Sequence, residues 1–258
     1  MNILEQLADY ARQRVRIKKQ MKSLARVKAQ AEQMPKGNFA FQKALAKKGL
    51  SFICECKKAS PSKGLIAPDF PYVQIAREYE AAGADCISVL TEPKWFLGQD
   101  EYLQEIARTV KVPCLRKDFT IDEYMIYEAK ILGAEAVLLI CALSSDKELA
   151  AYLQICEKLG LSALVEAHDE TEVKRALDLG AKIVGVNNRN LKDFSIDTNN
   201  SAKLRALIPP QVLYISESGI KTRADVAVVK AMGADGVLIG EALMRSGDIA
   251  GTLAELRG

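Results

Sequence analysis

A Gly-Ala pair followed by a charged residue recurs along the chain, at Gly83-Ala84-Asp85, Gly133-Ala134-Glu135, Gly180-Ala181-Lys182 and Gly233-Ala234-Asp235, at intervals of about fifty residues. Each Gly stands where a helix needs a left-handed residue to end. Each is followed by an apolar run that reads as a buried strand: Cys86 to Leu90, Ala136 to Ile140, Ile183 to Val186 and Val237 to Ile239. Between these joints lie four further strand-like runs, Ser51 to Cys56, Pro113 to Leu115, Ala163 to Val165 and Val212 to Ile215, each followed by a loop and an amphipathic stretch. Eight strands thus alternate with eight helices. Nearly continuous apolar strands imply a parallel sheet covered by helices, and eight βα units predict an α/β protein closed as a (β/α)8 TIM barrel. An open doubly wound sheet is the alternative architecture.

The chain has 258 residues and is 49% hydrophobic, enough for a large core. Its net charge of +3 is small beside its 33 acidic residues and does not demand nucleic acid as a partner. Six cysteines, at 54, 56, 86, 114, 141 and 156, form no CxxC pair, and one histidine is available to join them. They read as reduced core residues, which favours a cytoplasmic location and no metal site. No apolar stretch reaches the length of a membrane span, and Met1 to Tyr10 lacks the order of a signal peptide.

Residues 1 to 45 differ in character from the barrel expected over 46 to 258. Ile3, Leu7, Tyr10, Ile17, Met21, Leu24 and Ala31 recur at helical spacing, with Arg14 and Lys28 interrupting that face. Eight basic residues and no acid lie between Arg12 and Lys28. An RNA- or membrane-binding arm is conceivable on charge alone. A helical extension that packs on the barrel and keeps its basic face in water is the preferred reading.

Charged residues inside these strands mark a site. Alternate strand residues share a face, so Ile53, Glu55 and Lys57 point together, opposite Phe52, Cys54 and Cys56. With the cysteines against the helices, Glu55 and Lys57 look into the barrel, where unpaired charge is costly. Lys117 follows Leu115 in the same way, while Arg116 and Asp118 take the other face. Glu166 shares the face of Leu164, Asn187 that of Gly185, and Glu217 that of Leu213 and Ile215. A Glu-Lys pair on one strand could be structural. Polar groups from five strands converging on one mouth point to a catalytic or binding centre. His168 is read as pointing away from the barrel axis, on the face opposite Glu166.

Two short loops are placed to hold phosphate. Ser216-Glu217-Ser218-Gly219-Ile220 follows the seventh strand and Ile239-Gly240-Glu241-Ala242-Leu243 the eighth, each expected to open a helix whose first N–H groups are free. The loop after the first strand, Lys58 to Gly64, is basic and carries Ser60 and Ser62, as suits a segment that closes over an anion.

The segments ECKKASPSKG at 55 to 64, LTEPKWFLGQ at 90 to 99, LRKDFTID at 115 to 122, LVEAH at 164 to 168, GVNNRNL at 185 to 191, SESGI at 216 to 220 and IGEALM at 239 to 244 together resemble the indole-3-glycerol phosphate synthase family. The resemblance spans nearly the whole chain, including the helical extension. It implies conversion of 1-(2-carboxyphenylamino)-1-deoxyribulose 5-phosphate to indole-3-glycerol phosphate by ring closure, decarboxylation and dehydration, without cofactor or metal. It also implies roles. Lys117 is the general acid, Glu166 and Lys57 handle the protons of dehydration, and Glu55 and Asn187 orient hydroxyls and lysines. Arg189 meets the anthranilate carboxylate, while Phe96, Phe119, Leu138 and Leu191 wall the ring. Ser60, Glu217 and Ser218 contact substrate, and Lys57, Gly219, Gly240 and Glu241 hold the phosphate. Cys56, where Val or Ile is more usual, and Gln99, where Ser is common, depart from the family pattern. A monofunctional enzyme, monomeric or weakly self-associating, with no nucleic-acid or membrane partner, is expected. Three rivals are a phosphoribosylanthranilate isomerase, an aldolase using Lys117 as a Schiff base, and a non-catalytic barrel that binds RNA through the basic arm.

Overall fold

The computed structural model describes residues 2 to 189, 195 to 196 and 199 to 258. Eight parallel strands close into a barrel: β1 (Ser51–Cys56), β2 (Cys86–Leu90), β3 (Cys114–Lys117), β4 (Ala136–Ile140), β5 (Ser162–Ala167), β6 (Ile183–Asn187), β7 (Leu213–Glu217) and β8 (Gly236–Ile239). Each strand pairs with its successor, and β8 returns to β1. The open-sheet alternative is thereby excluded. Helices α4 (Tyr72–Ala81), α5 (Asp100–Thr109), α6 (Glu123–Ile131), α7 (Asp146–Leu159), α8 (Glu170–Asp178), α9 (Asn199–Arg205) and α10 (Arg223–Ala231) follow strands one to seven. The eighth unit carries two, the single-turn α11 (Glu241–Met244) and α12 (Ile249–Arg257).

The four Gly-Ala repeats build four copies of one joint. Gly83, Gly133, Gly180 and Gly233 all have φ between 77° and 90°, and each following Ala N–H bonds a carbonyl five residues back, the 6→1 bond of a Schellman cap. The acid that comes next aims the strand. Asp85 accepts the Phe52 N–H at 2.9 Å and Asp235 that of Tyr214 at 2.8 Å, so the same short sequence ends a helix and fixes the start of the neighbouring strand.

Four strands run further than their apolar cores suggested. β3 extends to Lys117, β5 to Ala167, β6 to Asn187 and β7 to Glu217. At these ends the inward charges of Lys117, Glu166 and Glu217 meet one another. Below them, Ile53, Leu115, Leu138, Leu164, Ile183 and Ile215 fill the barrel and are essentially inaccessible to water. Each such side chain contributes roughly 1.5 to 3 kcal/mol on burial. Cys54 and Cys56 face the helices, as parity required, and all six cysteines are buried and free.

The first 45 residues touch the barrel in three places. Helix α1 (Ile3–Met21) crosses the C-terminal mouth, α2 (Leu24–Gln33) packs on α6, and α3 (Ala40–Leu45) sends Phe41 and Leu45 into the apolar cluster inside the barrel. Bonds from the Ser51 hydroxyl to α3 carbonyls, and from the Gln42 N–H to the Ser162 hydroxyl, put α3 at the strand starts. The buried face of α1 is not the one expected. It consists of Leu7, Ala8, Ala11 and Val15, whereas Ile17 and Met21 stand 58% and 81% exposed. Nor is the basic face left wholly in water. Arg14 pairs with Asp118, Lys18 with Asp100 and Glu128, and Lys19 with Asp122. Small alanines permit close approach, and a cation next to them is admitted because a buried carboxylate waits opposite.

Candidate active site

Strand direction places the ends of all eight strands at one mouth, and the inward residues of these ends line a single cavity. Glu55 and Lys57 from β1, Lys117 from β3, Glu166 from β5, Asn187 from β6 and Glu217 from β7 share it. Ser60, Phe96, Phe119, Leu138, Arg189, Ser218, Gly219, Gly240 and Glu241 line it too. Leu191 lies outside the described residues.

Lys117 is the hub. Its Nζ sits 3.3 Å from Glu166 Oε2 and 3.6 Å from Glu217 Oε2, with Glu55 also acting on it. Burial disfavours the ammonium, but the three carboxylates outweigh that cost and raise its pKa above the ordinary lysine value. Lys57 donates to Glu55 Oε1 at 2.6 Å, and the Ser88 hydroxyl donates to Glu55 Oε2 at 3.3 Å. Burial would push the Glu55 carboxyl up; Lys57 and Lys117 reverse this and lower it.

The three acids around Lys117 are not equivalent. Burial raises Glu166, yet Lys117, His168 and Asn187 overcome it and hold the group well below the usual carboxylate range. Glu217 goes the other way, to about 8, because burial and the nearby Glu166 and Glu55 charges exceed the help from Lys117. One of its oxygens, Oε1, lies buried without a hydrogen bond. Of the three acids Glu217 is therefore the one that holds a proton most readily. Gly185 makes room for it: a Cβ there would stand 2.1 Å from Glu217 Oε1.

His168 departs from the sequence expectation. It stands two residues after Glu166 and therefore shares its parity, and its Nε2 lies 3.4 Å from Glu166 Oε1. Its ring packs behind Glu166 instead of turning away. Arg116 and Asp118 do occupy the helix-facing side: Arg116 reaches Asp100 at 2.7 Å and Glu128 at 2.8 Å, and Asp118 accepts from the Thr91 hydroxyl at 2.7 Å.

The two loops expected to grip phosphate differ from each other. After β7, Ser218 and Gly219 have φ of 68° and 85°, and α10 begins only at Arg223 behind its own Thr222 cap. That loop is therefore a turn folded toward the mouth, not a helix N-terminus, because the two left-handed residues bend the backbone before a helix can start. Gly240 does cap α11 directly, and a Cβ on it would come 2.7 Å from Glu55 Oε1 and 3.0 Å from Lys57 Nζ. The Lys57 ammonium thus lies against the Gly240 backbone. The loop after β1 forms a small antiparallel ribbon, Ala59–Ser60 with Gly64–Leu65. It leans on the β2 loop through Ala59 N–H to Phe96 O at 3.2 Å, and on α11 through Lys63 and Glu241 at 3.6 Å.

Sequence reasoning missed several contributors. Ile3, Leu4 and Leu7 of α1 line the cavity, so the extension forms part of its wall. The fully buried Glu92 accepts the N–H groups of Lys94, Trp95 and Phe96 at 2.7 to 3.0 Å and so shapes the loop that presents Phe96. Asn188, with parity opposite to Asn187, ties the Ser216 hydroxyl and Ser218 carbonyl to Ser201. The apolar spacing of Ile3 and Leu7 was the visible signal among these.

Known proteins resemble the chain in sequence and in fold. The family model described as indole-3-glycerol phosphate synthase matches residues 4–256. The chain is 55% identical over 257 residues to the indole-3-glycerol phosphate synthase of Ruminiclostridium cellulolyticum, covering 99% of both chains. It is 53% identical to that of Lacticaseibacillus paracasei, covering 95% of this chain and 94% of the other. Among solved structures, a 3-hexulose-6-phosphate synthase superimposes with a TM-score of 0.65 at 17% identity, over 81% of this chain and 98% of its own. A thiamine phosphate pyrophosphorylase from Pyrococcus furiosus gives 0.62 at 15%, over 84% and 96%. At such identity these two share the fold alone.

Proposed function

The chain belongs to the indole-3-glycerol phosphate synthase family, and from that membership and the geometry of the mouth we infer how its residues divide the work. The reaction is that of a carboxy-lyase in tryptophan biosynthesis. It converts 1-(2-carboxyphenylamino)-1-deoxyribulose 5-phosphate to indole-3-glycerol phosphate, CO2 and water.

The observation that carries the assignment of roles is Lys117 held charged among carboxylates inside the mouth. As the aromatic carbon attacks the ketone, Lys117 gives its proton to the carbonyl oxygen and its charge stabilises the developing alkoxide. Loss of CO2 then restores the aromatic ring. In dehydration the new hydroxyl leaves as water with an added proton, and the adjacent carbon gives up a proton. Glu166 and Lys57 manage these transfers, with Glu55 and Asn187 orienting the hydroxyls and the lysines. A Schiff-base role for Lys117 requires a neutral amine, which the surrounding carboxylates oppose.

Arg189 meets the anthranilate carboxylate, and Phe96, Phe119 and Leu138 enclose the ring. Phe96 and Phe119 lie with centroids 6.0 Å apart in the cavity wall. Ser60, Glu217 and Ser218 contact the sugar chain. Lys57 and the Gly219, Gly240 and Glu241 backbones take the phosphate, a role that the Lys57 ammonium beside Gly240 supports. The protein works in the cytoplasm as a monomer or weak oligomer without a nucleic-acid partner; no helix among the described residues is long and apolar enough to cross a membrane.

The test is to supply the carboxyphenylamino deoxyribulose phosphate and follow indole fluorescence. Product formation that disappears in Lys117→Ala supports the reading. No product from well-folded protein overturns it.

A further inference from the structure

We propose that His168 is a positioning residue that holds the Glu166 carboxylate from behind, so that one oxygen faces Lys117 and the other faces the imidazole. This rests on the reading of Glu166 as a group that handles protons in the reaction.

The geometry assigns one cation to each oxygen. Lys117 Nζ lies 3.3 Å from Glu166 Oε2, and His168 Nε2 lies 3.4 Å from Glu166 Oε1. The imidazole is itself fixed. Its Nδ1 sits 3.1 Å from Glu172 Oε2 in the first turn of α8, and the same oxygen accepts the His168 backbone N–H at 2.8 Å. Asn200 on α9 donates to the His168 carbonyl at 3.1 Å. Glu172 of α8 therefore fixes the ring, Asn200 of α9 fixes the backbone that carries it, and the ring faces one oxygen of the carboxylate.

The charged and polar groups around the pair come from β3, β6 and β7, from its own strand end and from α8. Glu166 meets Lys117 from β3, His168 from its own strand end and Asn187 from β6, with Glu217 of β7 in its field. His168 meets Glu166 and Glu172. Burial opposes charge on the imidazole, but the two carboxylates prevail and raise it to about 10. The ring is thus biased toward the imidazolium, its Nδ1 hydrogen-bonded to Glu172 and its Nε2 in a longer, ion-pair contact with Glu166.

The consequence for Glu166 is twofold. A carboxylate facing only Lys117 would be free to rotate and share both oxygens with it, locking the general acid in an ion pair. With Oε1 occupied from behind, a single oxygen contacts Lys117, and the carboxylate keeps its charge as an acceptor.

The chain contains one histidine, so tag-free protein labelled with 15N-histidine has a single imidazole to follow by NMR. Both ring nitrogens are expected to remain protonated from pH 7 to 9, and Glu166→Gln should bring the titration back toward the ordinary range. In kinetics, His168→Asn should lower kcat about tenfold with little change in KM, and move the acidic limb of the kcat/KM profile to higher pH. His168→Gln reaches far enough to place an uncharged amide donor where Nε2 stood, which the shorter Asn does not, and should recover part of kcat while the limb stays displaced. An imidazole titrating near 6.5 in the unaltered protein, or a His168→Asn profile that superimposes on the parent, overturns the proposal. If the imidazole is held charged but Glu166→Gln is fully active, the role of Glu166 falls and the proposal with it. NMR tells that failure from absence of the pair.

Discussion

Arg14 of helix α1 grips Asp118, the residue directly after Lys117, with both guanidinium nitrogens: Nη2 donates to Oδ1 at 2.6 Å and Nη1 to Oδ2 at 3.1 Å. The Asp118 carboxylate is fully buried and the arginine is nearly so. Burial works against the charge on Asp118, but Arg14, Arg116 and Thr91 hold its pKa down at about 2. The N-terminal helix is thus clamped to the end of the strand that carries Lys117.

Arg14→Met should therefore destabilise the fold by about 3 kcal/mol, since it leaves a buried carboxylate short of a partner while keeping most of the packing. Urea unfolding at neutral pH measures this. A midpoint equal to that of the parent would show that the clamp does not hold the helix.

Lys117→Ala should lower turnover by roughly 10²- to 10⁴-fold, the range general acid catalysis supplies, and leave the circular dichroism spectrum unchanged. Glu166 and Glu217 then lose their shared cation and take up protons more readily. A variant retaining full activity would remove Lys117 from the mechanism.

Glu217 makes stability depend on pH. Its pKa is raised from 4.5 to about 8 on folding. The folded state therefore binds more protons than the unfolded chain between these values, and stability falls as pH rises through that window. Glu217→Gln mimics the protonated form. The gap between variant and parent in denaturation midpoint should widen in the variant's favour from pH 5 to pH 8. A constant gap would place the Glu217 pKa in the ordinary range.

Gly240→Ala puts a methyl where the Glu55–Lys57 pair and the proposed phosphate oxygens meet. KM should rise about tenfold, equivalent to about 1.4 kcal/mol of binding, with a smaller effect on kcat. Steady-state kinetics on the variant separates the two. An unchanged KM would take Gly240 out of phosphate binding.

Local and periodic features were legible in the amino-acid sequence alone. Gly-Ala ends a helix by bonds within a few residues, so the caps at Gly83 and Gly233 could be read from their own neighbours, whereas the bonds of Asp85 and Asp235 to the adjacent strand span 33 and 21 residues. Alternation along a strand is a property of the backbone, so Glu55, Lys57, Lys117, Glu166, Asn187 and Glu217 could be assigned to one face. The same parity places His168 with Glu166, contrary to the expectation that it points away from the axis. Features that depend on a partner distant in the chain were set by the tertiary fold. The buried face of α1 follows from Asp118, more than a hundred residues from Arg14, and no helical periodicity contains that information. The strand ends at Lys117 and Glu217 lie past the apolar pattern, and the partners they meet there come from other strands. The protonation of Glu217 is of the same kind: a buried carboxyl beside two other acids and one shared lysine acquires its pKa from the closed barrel, where those four side chains first come within reach of one another.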